Sequence, residues 1–166
     1  VGNEITLSTC QLDFCLPAKF NLKYIDKDGE KKTPVVLHRA ILGSLDRFMA
    51  YILEETKGNL PVWLAPVQAR ILPVKNDDEA LNAYAQEVYE LLDDAQVRVE
   101  LDDRSEKLGY RMREGQLHKV PYLLVLGMNE KDERTVSYRL HGEQKTTTVK
   151  LDEFVEMIRD QIVNKK

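Results

Sequence analysis

Hydrophobic positions change their spacing several times along this chain, and each spacing predicts an element. Gln68 to Val74 is a short apolar run that suits a strand. Asn76-Asp77-Asp78-Glu79 follows, an Asn cap with an acid three residues later, and predicts a helix start. Leu81, Tyr84, Val88, Leu91, Leu92 and Ala95 keep helical spacing, one apolar stripe with the acids on the wet side. Val97, Val99 and Leu101 alternate with Arg98, Glu100 and Asp102, the period of a strand. A shorter helix is expected over Lys107 to Leu117, with Leu108, Met112 and Leu117 packing inward. The continuous apolar run from Val120 to Leu126 suits a strand buried on both faces. Val136, Tyr138 and Leu140 alternate again, and His141-Gly142-Glu143 offers a turn into Thr146 to Leu151. Phe154, Val155, Ile158 and Ile162 mark a final helix that begins near Asp152.

Strands and helices in this order predict an α/β domain, a mixed five-stranded sheet flanked by helices. The first part differs. It holds an alternating stretch from Glu4 to Phe14, a polar turn at Asp26 to Gly29, and an apolar strand from Pro34 to Leu37. An amphipathic helix from Ser44 to Thr56 then carries Leu45, Phe48, Met49, Ile52 and Leu53. So short a stretch makes a poor independent core. Residues 1–58 are therefore expected to be the truncated end of a larger antiparallel α+β domain, and residues 59–166 a domain of their own. Phe14, Val36, Phe48 and Ile52 would be left partly uncovered, which favours self-association through this segment.

Composition narrows the class. The chain has 166 residues, 43% hydrophobic and 31% charged, an ordinary globular balance. No apolar run approaches the roughly 20 residues of a membrane span, so no membrane partner is expected. It opens Val1-Gly2-Asn3-Glu4, with neither an initiator Met nor a basic-then-apolar leader. Two cysteines, Cys10 and Cys15, are too few for a disulfide scaffold and point to a reducing, cytoplasmic location. A net charge of −4 argues against nonspecific DNA packing. That charge is uneven. Asn76 to Val97 holds acids and no base, whereas Arg104, Lys107, Arg111, Arg113 and Lys119 stand against only Glu106 and Glu114. The basic stretch is a candidate patch for phosphates.

Two strings carry a resemblance. Pro34-Val35-Val36-Leu37-His38-Arg39-Ala40-Ile41-Leu42-Gly43-Ser44-Leu45-Asp46-Arg47-Phe48 resembles motif 3 of the class II aminoacyl-tRNA synthetases, and Pro61-Val62-Trp63-Leu64-Ala65-Pro66-Val67-Gln68 resembles the start of an anticodon-binding domain. With Asp103 to Arg113 and Val120-Pro121-Tyr122, the likeness to the threonyl-tRNA synthetases covers essentially the whole chain. Motifs 1 and 2 are missing from it, so the resemblance implies the last part of the enzyme, inactive alone.

The roles that follow are implied by that resemblance. Arg47 would stack on adenine and meet the ATP phosphates, as a planar guanidinium with forked donors is able to do. Gly43 and Ser44 would let the backbone approach the nucleotide, and Thr9 and Gln11 would line the threonine and adenylate pocket. His38 would be one of three zinc ligands that hold threonine. The Cys and His that complete the set lie outside this chain, and Cys10 and Cys15 do not match them. Mg²⁺ would accompany ATP. Arg113, Glu130 and Arg139 would read the G and U of the anticodon, since Arg donates twice to guanine and a carboxylate accepts from its amino and imino groups. Ser105 stands where the family usually has an Asn that contacts an anticodon base. The partner would be the anticodon stem-loop of threonine tRNA, with ATP and threonine in the full enzyme, itself a homodimer. A noncatalytic RNA- or protein-binding module, and a prolyl, histidyl or glycyl relative, are the competing readings. His38 in its His-Arg-Ala-Ile-Leu-Gly-Ser setting favours threonine.

Overall fold

The computed structural model describes residues 2 and 4–165 and divides the chain into two compact units, residues 1–55 and 56–166. In the first unit β1 (Thr9–Asp13) pairs antiparallel with β4 (Val36–Ala40), and β2 (Tyr24–Ile25) forms a small hairpin with β3 (Lys31–Lys32) around the turn at Asp26 to Gly29. A one-turn helix α1 (Cys15–Lys19) and the longer α2 (Leu45–Glu55) complete it. β4 lies further along than its apolar stretch predicts. The ladder with β1 runs through His38 and Arg39, because pairing of backbone groups needs no apolar side chain.

The second unit is a mixed sheet in the order β6-β5-β7-β8-β9, as its alternating pattern requires. β5 (Ala69–Pro73) lies between β6 (Val99–Leu101) and β7 (Tyr122–Leu126), all three parallel, and β8 (Thr135–Leu140) and β9 (Thr146–Lys150) add an antiparallel hairpin. α3 (Glu79–Asp94) and α6 (Leu151–Val163) cover one face, where Ile71, Leu124, Val88, Leu92, Phe154 and Ile158 are buried together. α4 (Leu108–Leu117) covers the other face over Leu72, Val120 and Leu123, with Leu108 and Met112 against them. Leu117 does not join them. It is exposed, because a helix this short turns only one stripe inward. α5 (Met128–Glu133) follows β7.

Two polar residues set the geometry of this unit. The cap of α3 is Asp78, whose Oδ1 accepts from the Ala80 and Leu81 N–H groups at 3.0 Å each. Asn76, two residues earlier, is drawn instead to another loop. Gln68 is fully buried and bridges two segments: its amide donates to the Val62 carbonyl at 2.8 Å and accepts from the Arg98 N–H at 2.9 Å. No described helix is long and apolar enough to cross a membrane.

Candidate nucleic-acid interface

β5 and β6 are parallel neighbours whose onward connections leave for opposite faces, into α3 and α4. Such an arrangement opens a crevice at the carboxyl ends of the two strands. Here it has a volume of about 410 Å³ and is lined by Lys75, Asn76, Asp77, Ser105, Glu106 and Lys107, among others. Asn76 ties its two walls together, donating to the Asp103 carbonyl at 2.8 Å and also to the Arg104 carbonyl. Arg111 forms the floor. It is only 1% exposed, and its guanidinium donates to the carbonyls of Pro73 and Asp102 at 2.6 Å each and of Glu106 at 3.1 Å. Burial lowers its pKa, against the pull of the Asp102 charge. One side chain therefore fixes the ends of both strands.

This changes the reading of the basic stretch. Arg104 is paired with Asp102 at 2.7 Å and with Glu114 at 2.5 Å, and its hydrogen bonds hold the Asp102 carboxyl below the usual carboxylate range. Lys119 donates to the Lys57 carbonyl. With Arg111 buried, three of the five bases are committed to the fold. Lys107 and Arg113 remain exposed, with no side-chain partner among the described residues. Linear charge counting cannot separate these groups, whereas the shared helical face of Arg111, Gly115, Leu108 and Met112 could have marked Arg111 as buried.

Arg113, Glu130 and Arg139 belong to one side of the sheet. Gly115 seats α4 against Leu123 so closely that a Cβ at residue 115 would meet Leu123 Cδ2 at 2.5 Å. Leu123 pairs directly with Arg139, and Val125 with Ser137, so Arg139 and Ser137 lie on the face that α4 covers only in part. Gln116 joins α4 to the β8–β9 turn by accepting from the Gly142 N–H at 3.0 Å. Arg113 lies one helical turn before it, on the same side. The Arg139 guanidinium donates to Thr146 Oγ1 at 3.3 Å, while its Nε is buried without a partner. Glu130 is anchored at both oxygens: Oε2 accepts from the Gly127 N–H at 2.9 Å and Oε1 from the Ser137 hydroxyl at 2.7 Å. Ser105 stands apart from these three, exposed in the crevice beside Lys107.

In the first unit β1 places Thr9 and Gln11 on one face with Asp13, and Gln11 pairs across to His38. His38 Nε2 lies 2.9 Å from Asp13 Oδ2. The Leu16 N–H, with this imidazole, holds the Asp13 carboxyl below its usual range. Gln11, Asp13, Phe14, Leu16 and His38 border an open concavity of about 660 Å³. Gly43 has a φ of +68°, and a Cβ there would sit 2.5 Å from the Leu7 carbonyl oxygen, so this turn excludes other residues. Ser44 Oγ accepts from the Arg47 N–H at 3.4 Å at the start of α2. Arg47 is exposed and donates to the Thr6 carbonyl at 3.1 Å. A catalytic zinc takes three protein ligands. No group of three or more His, Cys, Asp or Glu side chains that could hold a metal occurs among the described residues, so the donor set beside His38 does not complete a zinc centre.

The family described as "Anticodon binding domain" matches residues 68–161, and "tRNA synthetase class II core domain (G, H, P, S and T)" matches residues 1–56. The threonine–tRNA ligase of Oceanobacillus iheyensis is 48% identical over 166 residues, all of this chain and 25% of that protein. That of Listeria monocytogenes is 50% identical over 158 residues, 95% of this chain and 24% of the relative. The chain thus spans about a quarter of the length of these curated relatives. A crystal structure of the RNA binding domain of threonyl-tRNA synthetase from Cryptosporidium parvum Iowa II is 37% identical with a TM-score of 0.80, covering 92% of this chain and 38% of that one. Prolyl-tRNA synthetase from Cryptosporidium parvum, at 20% identity and a TM-score of 0.74, covers 96% of this chain and 37% of its own, and shares the fold.

Proposed function

This chain belongs to the anticodon binding domain family, and on that premise we propose that residues 56–166 read the anticodon stem-loop of a threonine tRNA for a threonine–tRNA ligase. The observation that carries this reading is the sorting of the basic stretch. Arg104 is paired with acids, Arg111 is buried and Lys119 is bonded to a carbonyl, while Arg113 is exposed with no side-chain partner among the described residues, on the side of the sheet that carries Arg139 and Glu130. A forked guanidinium there is available for guanine O6 and N7. Glu130 offers acceptors for the guanine imino and amino groups, Arg139 a second guanidinium, and Ser105 a hydroxyl at the neighbouring crevice. Acidic α3 on the opposite face repels an RNA backbone and favours approach from the α4 side.

Residues 1–55 are proposed to end the catalytic core of such an enzyme. Arg47, presented by the Gly43-Ser44 turn, would contact adenine and the phosphates of ATP, with Thr9 and Gln11 lining the pocket for threonine and its adenylate. His38, held by Asp13, would contribute one imidazole to a metal centre that this chain does not complete. Threonine and Mg²⁺-ATP would give threonyl-adenylate and pyrophosphate, and the threonyl group would pass to the terminal ribose of the tRNA, in a cytoplasmic homodimer. Mg²⁺ would neutralise phosphate charge.

The test is a binding titration at fixed salt with the threonine anticodon stem-loop and with one whose guanine is replaced. Arg113→Ala is expected to lose ~1–3 kcal/mol for the cognate loop and little for the altered one. Full discrimination by Arg113→Ala would remove Arg113 from the site.

A further inference from the structure

Glu130 is held at both carboxylate oxygens, and the groups that hold it lie outside the set of base-reading side chains. Oε2 takes the Gly127 N–H at the start of α5, an approach so close that a Cβ on residue 127 would lie 3.0 Å from it. Oε1 takes the hydroxyl of Ser137, a side chain 6% exposed on β8. Ser137 Oγ lies 2.7 Å from Thr148 Oγ1, directly across the β8–β9 ladder. An ionised carboxylate only accepts, so the single Ser137 proton goes to Glu130, and Thr148 must donate to Ser137. The direction of the chain is then fixed as Thr148 to Ser137 to Glu130. Each link polarises the next.

A carboxylate has about four lone-pair sites. Two are spent on Gly127 and Ser137, one on each oxygen, which leaves one acceptor direction on each. We propose that Ser137, backed by Thr148, is a positioning residue that holds Glu130 as a two-pronged acceptor for the imino and amino hydrogens of guanine. The inference rests on the anticodon reading above. Without the Ser137 hydroxyl, the Gly127 N–H alone holds the carboxylate, which is free to pivot about one oxygen, and its match to two parallel donors is lost. Nothing in this chain of bonds touches the guanine N7 edge or the phosphates, so only one kind of discrimination depends on it.

The full chain is titrated with stem-loops carrying guanine, inosine (no 2-amino group) or 7-deazaguanine (no N7) at the recognised position. Ser137→Ala, its fold checked by circular dichroism, is expected to reduce the preference for guanine over inosine about fivefold. Its preference for guanine over 7-deazaguanine and its salt slope should be those of the parent chain. A merely structural loss would lower all three affinities together. Thr148→Val, near in shape and remote from the base, should shift the inosine ratio in the same direction by less. In a Glu130→Gln background, Ser137→Ala should change the ratio no further. An unchanged guanine-to-inosine ratio in folded Ser137→Ala overturns the positioning role and leaves the anticodon reading standing. No guanine preference in the parent chain overturns both.

Discussion

α2 and α3 carry similar stripes of large apolar side chains, yet they end in opposite states. In α3 Leu81, Tyr84, Ala85, Val88 and Leu92 are buried, whereas α2 buries none of Leu45, Phe48, Met49, Ile52 or Leu53. The same contrast holds for whole units. Residues 56–166 close a core on both faces of a five-stranded sheet, while Pro17 is the one buried residue described in residues 1–55. An amphipathic pattern thus specifies an element and the side it means to bury. Burial itself needs a second layer to pack against. The first unit has strands of two to five residues in two separate two-stranded sheets, too little surface to supply one.

Separating the two regions should give the largest effect. Residues 59–166 alone are expected to keep a cooperative calorimetric transition and to sediment as a monomer, while residues 1–58 alone should show no such transition. The whole chain should self-associate with concentration. A cooperative melt for residues 1–58 would break the comparison.

Single truncations sharpen it at smaller scale. Ile71→Ala, in the fully buried centre of β5, should cost ~2–5 kcal/mol in chemical denaturation. Leu37→Ala, on a strand residue 62% exposed, should leave the midpoint of the main transition unchanged. Equal losses at both sites would mean that the first unit possesses a hidden core.

The smallest difference is expected at two aspartates that accept from backbone N–H groups where a helix begins. Asp78 caps the sixteen-residue α3 through two backbone N–H groups, and Asp78→Ala should cost about 1 kcal/mol. Asp13 accepts from the Cys15 and Leu16 N–H groups in the same manner, at 2.8 and 2.9 Å, at the start of the five-residue α1. Asp13→Ala should not move the melting midpoint of the chain, because that helix is not part of its cooperative core.

Much of this architecture is legible in the spacing of residues. The alternation at Val136, Tyr138 and Leu140, the continuous run ending at Leu126 and the stripe of α3 are direct records of which faces meet apolar neighbours. Backbone and polar arrangements are less legible. β4 extends through His38 and Arg39 because a ladder is built from peptide groups, to which hydropathy is blind. The cap of α3 falls to Asp78 rather than Asn76 because a loop beyond β6, remote in sequence, offers Asn76 two carbonyls. The anticodon-reading candidates are legible only through resemblance, and the chain of hydroxyls behind Glu130 has no sequence signature at all.

Local pattern, read along the chain, determined the elements of the second unit, their order and the mixed sheet they form, since side chains alternate or spiral according to the face each must bury. Tertiary structure alone decided the fate of the charges. Arg104, Arg111, Arg113 and Lys119 are neighbours in a single basic stretch, and only folding separates them. It sends Arg111 inward to three carbonyls, gives Arg104 to Asp102 and Glu114, turns Lys119 to the Lys57 carbonyl, and leaves Arg113 to the solvent. The cost of leaving a buried charge without a partner enforces this for Arg111 and for the Asp102 carboxylate that holds Arg104, and the Pro73 carbonyl reaches Arg111 only when the sheet is assembled.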